Sequence, residues 1–166
     1  MKLITITGPS GAGKDTVARM LSEMGVYKVL CSYTTRHKRE GEIDGVEHHF
    51  VEKCDVPHDK MLAYTNYGGY EYWTTIDQVT DKAIYVIDED GLKTLCKKFP
   101  DIELFKICVS AYEETRLRRG VSQERMLRDK QRNLLSLSFY DAVIFNNCSL
   151  ESLWDNVRLR VLCKLR

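Results

Sequence analysis

The sequence of 166 residues predicts an α/β fold in which helices cover both faces of a parallel sheet. An apolar, β-branched run at residues 3–7 leads into a glycine-rich loop and then into a helical pattern. Apolar runs alternate with helical patterns again over residues 83–165. Between these parts, residues 32–78 are polar and aromatic with glycine turns, which predicts a small, mostly β lobe inserted into the sheet domain.

These parts predict a single domain over residues 1–166, with a core at 1–31 and 79–166 and the inserted lobe at 32–78. The composition, 43% hydrophobic and 30% charged, is typical of a globular protein with a substantial core. The net charge of +1 gives no general attraction to nucleic acid or to a membrane. We find no apolar run as long as a membrane span and no export signal before the first strand.

The cysteines indicate a reducing compartment. They include no Cys-x-x-Cys pair and do not cluster with histidine at the spacing of metal ligands. Most of them lie inside apolar runs, as reduced core cysteines do. We therefore expect a cytoplasmic protein with free thiols at Cys31, Cys54, Cys96, Cys108, Cys148 and Cys163.

A phosphate-binding loop is predicted between the first strand and the first helix. Glycines let backbone N–H groups curl around an anion, and the N-terminus of the following helix adds a favourable dipole. Lys14 is expected to reach the β- and γ-phosphates of a nucleotide. The candidate ATP site therefore consists of Gly8, Pro9, Ser10, Gly11, Ala12, Gly13, Lys14, Asp15 and Thr16.

Asp15 departs from the usual form of such a loop. The residue after the lysine is normally Ser or Thr, whose hydroxyl binds Mg²⁺. A carboxylate beside a triphosphate is unfavourable unless a metal ion or its water lies between them. One interpretation is that nucleotide phosphates and waters hold most of the Mg²⁺ ion, with Asp15 or Thr16 contacting it through water. The other is that Asp15 caps the first helix.

The remaining elements follow from local patterns. Residues 27–31 form an apolar run that predicts a short strand, and glycines at 45 and at 68–69 predict turns between short strands of the lobe. Apolar runs predict strands at 83–88, 102–109 and 142–145. Helices are expected at 91–98, 112–119 and 150–165, and Ser122 is a plausible N-cap for a long helix that extends to about residue 137.

With these motifs in place, nearly the whole chain resembles guanylate kinase, a nucleoside monophosphate kinase with the P-loop fold. The loop at 8–14 matches, and the more specific signature is residues 32–39, with Gly41, Glu42, Asp44 and Gly45 after it. Residues 116–120 resemble the start of the family's mobile lid, which would span about 116–128. Residues 141–147 resemble the late strand whose asparagine, here Asn146, lies near the ATP base.

The resemblance also implies an acceptor site. It assigns Arg36 and Arg39 to the acceptor monophosphate, with Tyr72 contacting that phosphate. It assigns the hydroxyls of Ser32 and Thr74 to the guanine edge. The arginines have independent support, because a planar guanidinium binds two phosphate oxygens through parallel charge-assisted hydrogen bonds.

Two positions depart from the family. A tyrosine that assists at the phosphate corresponds to His48, and the glutamate that accepts hydrogen bonds from guanine corresponds to Ala63. An unpaired buried donor costs about 1–3 kcal/mol, so guanine would bind less well unless another carboxylate replaces the glutamate. Glu71, Asp88 and Asp90 are the candidates. Asp88 follows a strand at the edge where α/β sheets bind ligands, and it or Asp90 could orient Mg²⁺ through water.

The implied reaction needs positioning and charge neutralisation rather than a general base. The second pKa of a phosphate monoester is about 6, so the attacking oxygen is already ionised near neutral pH. The candidate catalytic residues are Lys14, Arg36, Arg39, Arg119 and Arg128, with Arg116 and Arg125 as less favoured members of the lid. For some lid arginines, the alternative is pairing on the helix surface with Glu113, Glu114, Glu124 or Asp129.

Three functions remain open at this stage. The first is transfer of the γ-phosphoryl group of ATP to GMP or dGMP, with Mg²⁺ as the cofactor. The second is the same reaction with a different nucleoside or deoxynucleoside monophosphate, which Ala63 and His48 make credible. The third is a catalytically silent, guanylate-kinase-like module that binds proteins, although such modules typically lose phosphate-loop residues that are present here. Either a monomer or a homodimer fits the sequence.

Overall fold

The computed structural model describes residues 2–25, 27–67 and 69–165. Its larger sheet contains β1 (Lys2–Thr7), β2 (Lys28–Val29), β7 (Lys82–Val86), β8 (Glu103–Ser110) and β9 (Ala142–Phe145). The strand order is β2-β7-β1-β8-β9, and each neighbouring pair is parallel. β1 therefore lies at the centre, and its carboxyl end leads into the glycine-rich loop.

Helices cover both faces of this sheet, as the sequence predicts. They are α1 (Lys14–Glu23), α2 (Glu89–Lys98), α3 (Glu113–Arg118), α4 (Gln123–Asp129) and α5 (Leu150–Val157). Because side chains of a strand alternate between faces, Ile4 packs with Val17 of α1 and Leu153 of α5 on one face. Leu3 packs with Leu92 of α2 on the other. The predicted α/β architecture is confirmed.

A second, smaller sheet lies beside the carboxyl ends of the parallel strands. It is formed by β3 (Tyr33–Thr34), β4 (His49–Phe50), β5 (Met61–Tyr67) and β6 (Tyr70–Thr75), in the order β4-β3-β6-β5. β5 and β6 form an antiparallel hairpin. Gly69 takes a positive φ of 79° in its turn, while Gly68, the other glycine of the predicted turn, lies outside the described residues.

The predicted long helix from Ser122 to about residue 137 is wrong. Ser122 does cap α4 by accepting from the Arg125 N–H, but the helix ends at Asp129. Side chains beyond that point bond to the start of α2, with Arg132 donating to Glu89 and Asn133 to Asp90. These tertiary contacts draw the chain away from the helix axis. A short 3₁₀ turn at Leu137–Phe139 follows.

Two further elements differ in detail from the sequence prediction. The strand expected at 27–31 is limited to the two residues of β2. The C-terminal helix extends through a π-helical segment, Arg158–Leu162, to a last α-helical turn at Cys163–Leu165.

The predicted free thiols are confirmed at each cysteine. Within residues 2–25, 27–67 and 69–165, none of the helices is long and apolar enough to cross a membrane.

Candidate active site

The glycine-rich loop between β1 and α1 is closely packed and requires glycine at two positions. A Cβ on Gly8, where φ is +147°, would lie 2.0 Å from the carbonyl oxygen of Val109. A Cβ on Gly13, where φ is +99°, would lie 2.4 Å from Nδ2 of Asn146. Gly13 is also the N-cap of α1, so the interpretation of Asp15 as the helix cap is wrong. Asp15 instead lies in the first turn of α1, where its negative charge interacts favourably with the helix dipole.

Lys14 curls back over the loop, and its Nζ donates to the carbonyl oxygen of Pro9 at 3.1 Å. Burial lowers the pKa of Lys14. The negative charges of Asp15 and Asp129 act against this shift, while the positive charge of Arg132 adds to it. The ammonium group therefore lies among both acidic and basic side chains at the floor of a cleft.

Asp129, at the end of α4, anchors that helix to the loop. Its Oδ2 accepts from the Ser10 N–H at 2.8 Å and from Nη1 of Arg116 at 2.7 Å. Its Oδ1 accepts from the Ser10 hydroxyl at 3.2 Å, and Arg128 donates to the same hydroxyl at 3.1 Å. The Arg116 and Asp129 side chains are only 10% and 7% exposed. Arg116 thus forms the carboxylate pair considered for lid arginines, but in a buried position against the loop.

Arg119 and Asn146 meet at the other end of the loop. Arg119 donates to the carbonyl oxygens of Gly11 and Asn146, both at 3.0 Å, and Asn146 Nδ2 donates to the Ala12 carbonyl at 2.8 Å. Beside them lies a cavity of about 420 Å³, lined by Gly13, Asp15, Thr16, Arg125 and Leu150 among others. The Asp15 carboxylate and the Thr16 hydroxyl are hard oxygen donors at this cavity, and oxygen donors of this kind suit Mg²⁺.

A larger cleft, with a cavity of about 520 Å³, separates the loop from the second sheet. Its lining from the core includes Lys14, Asp88, Asp90 and Arg128, and its lining from the second sheet side includes Ser32, His48 and Tyr72. The structure therefore brings together the predicted donor-site lysine, a predicted lid arginine and five of the predicted acceptor-site residues.

The β5–β6 hairpin presents one face to this cleft. Thr65 is paired with Tyr72 and Ala63 with Thr74, and cross-strand partners share a face of the sheet. Ala63, Thr65 and Tyr72 line the cavity. Thr74, predicted to reach the guanine edge, is fully buried and is not among the lining residues. It lies against Tyr85, whose pKa burial raises to about 12, while the Thr74 hydroxyl acts in the opposite direction.

His48 lies at the edge of the same face. Its Nδ1 is 2.7 Å from the Ser32 hydroxyl, and its ring packs edge-on to that of Tyr72, with centroids 5.7 Å apart. Burial lowers the pKa of His48, and the nearby charge of Arg36 lowers it further. The imidazole is therefore neutral at pH 7, and it presents a hydrogen-bonding ring rather than a permanent charge to the cleft.

Arg36 is held rigidly behind Tyr72. Its Nη1 and Nη2 donate to the two carboxylate oxygens of Glu42 at 3.0 and 2.9 Å, and Nη1 also donates to the His37 carbonyl. Burial acts to lower the pKa of Arg36, but the bonds and charge of Glu42, together with Tyr72, outweigh it and raise that pKa. The hydrogen bonds from Arg36 lower the pKa of Glu42 to about 2.

Arg39 is exposed, and neither it nor Arg36 is among the residues that line the cavity. Its backbone N–H donates to Glu42, so the same carboxylate holds both arginines. The positive charge of Arg39 nevertheless acts on Arg128, which lines the cleft. Burial lowers the pKa of Arg128, and the charges of Arg39 and Arg132 lower it further.

The three carboxylates considered as replacements for the missing glutamate have different surroundings. Asp88 Oδ1 caps α2 through the Gly91 N–H at 2.6 Å, and its Oδ2 accepts from the Thr65 hydroxyl at 3.1 Å across the cleft. Asp90 accepts from Nδ2 of Asn133 at 2.9 Å. Both line the cavity. The Glu71 carboxylate bonds instead to the Tyr64 hydroxyl, and Glu71 is not among the lining residues.

Sequence reasoning missed residues whose role depends on long-range pairing. Glu42 was visible only as part of a signature, and Asp129 only as a partner for helix-surface arginines. Glu89 and Arg132 were not singled out at all, although both line the cleft. A carboxylate directly after Asp88 and an arginine beyond the predicted lid carry no local pattern that would mark them.

Comparisons with known proteins bear on the family and the fold. A family model described as guanylate kinase matches residues 1–159 of the chain. The fold is similar to the crystal structure of guanylate kinase from Anaplasma phagocytophilum, with a TM-score of 0.71 and 20% sequence identity. That match covers 98% of this chain and 85% of the other. At this level of identity, the structural match supports the fold.

Proposed function

The chain belongs to the guanylate kinase family, and from this premise we propose that it transfers the γ-phosphoryl group of ATP to GMP or dGMP. Family and fold support a nucleoside monophosphate kinase. The choice of ATP as donor and of guanine as the base is the proposal. The observation that carries it is the convergence of Lys14 and Arg128 on one cleft whose opposite side is formed by Ser32, His48 and Tyr72.

The donor site consists of the loop and its neighbours. The backbone N–H groups of the loop and Lys14 bind the ATP phosphates, and the loop already accepts an anion in the form of Asp129 at the Ser10 N–H. The adenine base lies near Asn146 and Arg119, beside the smaller cavity. Asp15 and Thr16, which line that cavity, would hold Mg²⁺ through water, and the ion would neutralise charge on the phosphates.

The acceptor phosphate lies on the opposite side of the cleft. Arg36 and Arg39 bind it, with Tyr72 and His48 as hydrogen-bonding partners. Because Glu42 fixes the plane of the Arg36 guanidinium, little conformational entropy is lost when a phosphate binds there. Ser32, Asp88 and Asp90, which line the cleft, contact the base.

Asp88 is the best substitute for the family glutamate whose position is occupied here by Ala63. Thr65, two residues along the same face of β5, donates to Asp88 Oδ2 and so brings that carboxylate next to the space beside Ala63. A carboxylate has about four lone-pair sites, and Asp88 uses two of them in the contacts described. It can therefore accept from the N–H groups of a guanine base.

The transfer requires no general base. An ionised oxygen of the acceptor phosphate attacks the γ-phosphorus, the bond from phosphorus to the β–γ bridging oxygen breaks, and ADP leaves. Lys14 and Arg128, which line the cleft, neutralise the charge on the transferring group and on the leaving group. In a cleft from which water is excluded, such fixed cations stabilise a charged transition state more strongly than they would in bulk water.

A second candidate function is the same transfer to another nucleoside or deoxynucleoside monophosphate. Ala63 favours this second function, because a guanine base in the cleft would not meet the glutamate acceptor that the family resemblance implies at this position. The silent protein-binding module has less support, because Gly13, Lys14, Arg36 and Arg39 are all present and Asp129 already bonds to the loop.

The decisive experiment measures ADP release from ATP and Mg²⁺ with GMP, dGMP, AMP, CMP, UMP and dTMP supplied separately. The proposal expects turnover with GMP and dGMP well above that with the other four. Faster turnover with another base would establish the second candidate. Lack of turnover with all six, combined with peptide binding, would overturn the kinase proposal in favour of the silent module.

A further inference from the structure

Arg132 lies beyond the end of α4, outside the predicted lid, and lines the cleft together with Lys14 and Arg128. We propose that Arg132 is a further catalytic residue, which binds the phosphate groups in the cleft through Nη1, and that Glu89 is the residue that positions it. This inference rests on the proposed kinase function, and it names an arginine and a carboxylate to which neither the motifs nor the resemblance assigns a role.

The geometry leaves one edge of the guanidinium available. Nε donates to Glu89 Oε2 at 3.0 Å, and Nη2 donates to Glu89 Oε1. Both bonds lie along one edge of the planar group, so Nη1 retains protons on the other side. Within the described part of the chain, Nη1 of Arg132 has no hydrogen-bond acceptor.

Glu89 is suited to hold an arginine in this position. Its side chain is 5% exposed and that of Arg132 is 16% exposed, so the pair is shielded from bulk water. Glu89 is the first residue of α2, where the helix dipole favours a negative charge. A buried carboxylate in such a place can fix the orientation of the guanidinium before any ligand arrives.

The charges around Arg132 point to an anionic ligand. The charge of Arg132 acts to lower the pKa of both Lys14 and Arg128, so the three cations lie close enough to repel one another. Glu89 offsets part of this positive charge, and the charges of Asp15 and Asp129 offset more of it, although Asp129 is already shared between Arg116 and Ser10. A polyphosphate between these cations would relieve the repulsion that remains.

A purely structural role for the Glu89–Arg132 pair would largely duplicate another contact. Asn133 donates to both carboxylate oxygens of Asp90 at 3.2 and 2.9 Å, which ties the same two segments together one residue further along. The structure thus holds residue 133 against α2 without help from Arg132. The Glu89–Arg132 ion pair is therefore better explained if the Arg132 guanidinium binds a ligand in the cleft.

The test compares Arg132→Gln with the double variant Glu89→Leu/Arg132→Met. Arg19→Gln is the matched control, because Arg19 forms an exposed pair with Glu23 on α1, away from the cleft. We expect Arg132→Gln to lower kcat about 10²–10³-fold, the range seen when one preorganised donor to a transition-state charge is removed. The control should stay within about twofold of the unsubstituted protein.

The double variant separates ligand binding from folding. Replacing a buried ion pair by apolar residues is often neutral or stabilising, so the double variant should fold. We expect it to be as slow as Arg132→Gln. Recovery of kcat to within about threefold of the unsubstituted protein would show that Arg132 acts only through its pair, and would overturn the proposal.

A binding measurement keeps this inference separate from the proposed function. Isothermal titration calorimetry with inorganic tripolyphosphate should give a Kd about tenfold weaker for Arg132→Gln than for the unsubstituted protein or for Arg19→Gln, because one charged hydrogen bond to the phosphate is lost. If no monophosphate is turned over but this difference holds, the kinase proposal fails and the phosphate-binding role stands. Equal affinities, or no binding by the unsubstituted protein, would overturn the role of Arg132.

Discussion

The glycine-rich loop and the cleft-facing side of the β5–β6 hairpin lie opposite each other, but they are built in different ways. The loop is one continuous segment whose proposed phosphate-binding groups are mainly backbone amides, and Gly8 and Gly13 are required by its packing. The hairpin side uses side chains from separate elements, with Ser32, His48 and Tyr72 meeting only after β3, β4 and β6 have paired in the smaller sheet. A backbone site depends on local conformation, whereas a side-chain site depends on every element that supports it.

This difference has consequences for substitution. In the loop, a single change should remove function with little compensation, because neighbouring amides cannot replace the charge of Lys14. On the hairpin side, each residue shares its task with others, and changes should alter affinity and specificity by degrees. The predictions below test this contrast, in order of decreasing expected effect.

The largest effect is expected at the floor of the loop. Lys14→Met removes the one cation that the loop itself contributes, and kcat should fall about 10³-fold or more, because the charge on the transferring phosphoryl group loses a fixed partner. The assay is ADP release with GMP. Lys97→Met on the exposed side of α2 is the matched control and should retain full activity. Less than a tenfold loss in Lys14→Met would contradict the assignment of the loop as the donor site.

The next effect concerns the anchor between the loop and α4. Asp129→Asn leaves Arg116 buried without a charged partner, and the free energy of unfolding should fall by about 3 kcal/mol. Urea unfolding measures this loss, and the KM for ATP should rise because the Ser10 amide is no longer held. Asp155→Asn, at an exposed position of α5, provides the control. An unchanged unfolding midpoint would show that Asp129 does not anchor the loop.

A smaller effect is expected from restoring the missing acceptor. Ala63 lines the cleft on the face of β5 that carries Thr65, so Ala63→Glu should direct a carboxylate toward the base. The ratio of kcat/KM for GMP to that for AMP should rise about tenfold, because one hydrogen bond to a charged group contributes about 1.5–3 kcal/mol. Ala63→Gln has nearly the same shape without the charge and should give a smaller gain. A fall in the ratio would indicate that the protein prefers another base.

The smallest effect is a dependence of stability on pH. The pKa of Glu42 is about 2 in the folded protein, below its ordinary value of 4.5. The Arg36–Glu42 pair therefore contributes stability above pH 4.5 that is lost as the pH falls toward 2. In thermal melts between pH 6 and about 3, Glu42→Gln should lose less stability than the unsubstituted protein. Parallel curves for the two proteins would rule out this contribution.

The predictions from sequence succeeded where the signal was local. The strand, loop and helix at the N-terminus and the alternating elements after residue 82 follow from hydrophobic period and glycine placement, and the structure contains them. The sequence also indicated the cap at Ser122, because a side-chain hydroxyl before a helical pattern satisfies backbone N–H groups.

Sequence reasoning failed where distant residues compete with local preference. The pattern after Ser122 favours a helix to about residue 137, but bonds from Arg132 to Glu89 and from Asn133 to Asp90 end it early. Asp15 has the chemistry of a helix cap, yet the loop places Gly13 at that position. In both cases, the deciding contact involves the packing of a neighbouring segment, which a pattern of adjacent residues does not contain.

By itself, the sequence determined the fold class, the glycine-rich loop between β1 and α1, and the family, because each depends on residue types at short, regular spacing. Only the tertiary structure decided that Asp129 anchors α4 to Ser10, that Thr65 brings Asp88 to the space beside Ala63, and that Glu89 orients Arg132. Hydrogen bonds and ion pairs act over about 3 Å, and distances that short between residues far apart in the chain arise only when the sheets and helices have packed.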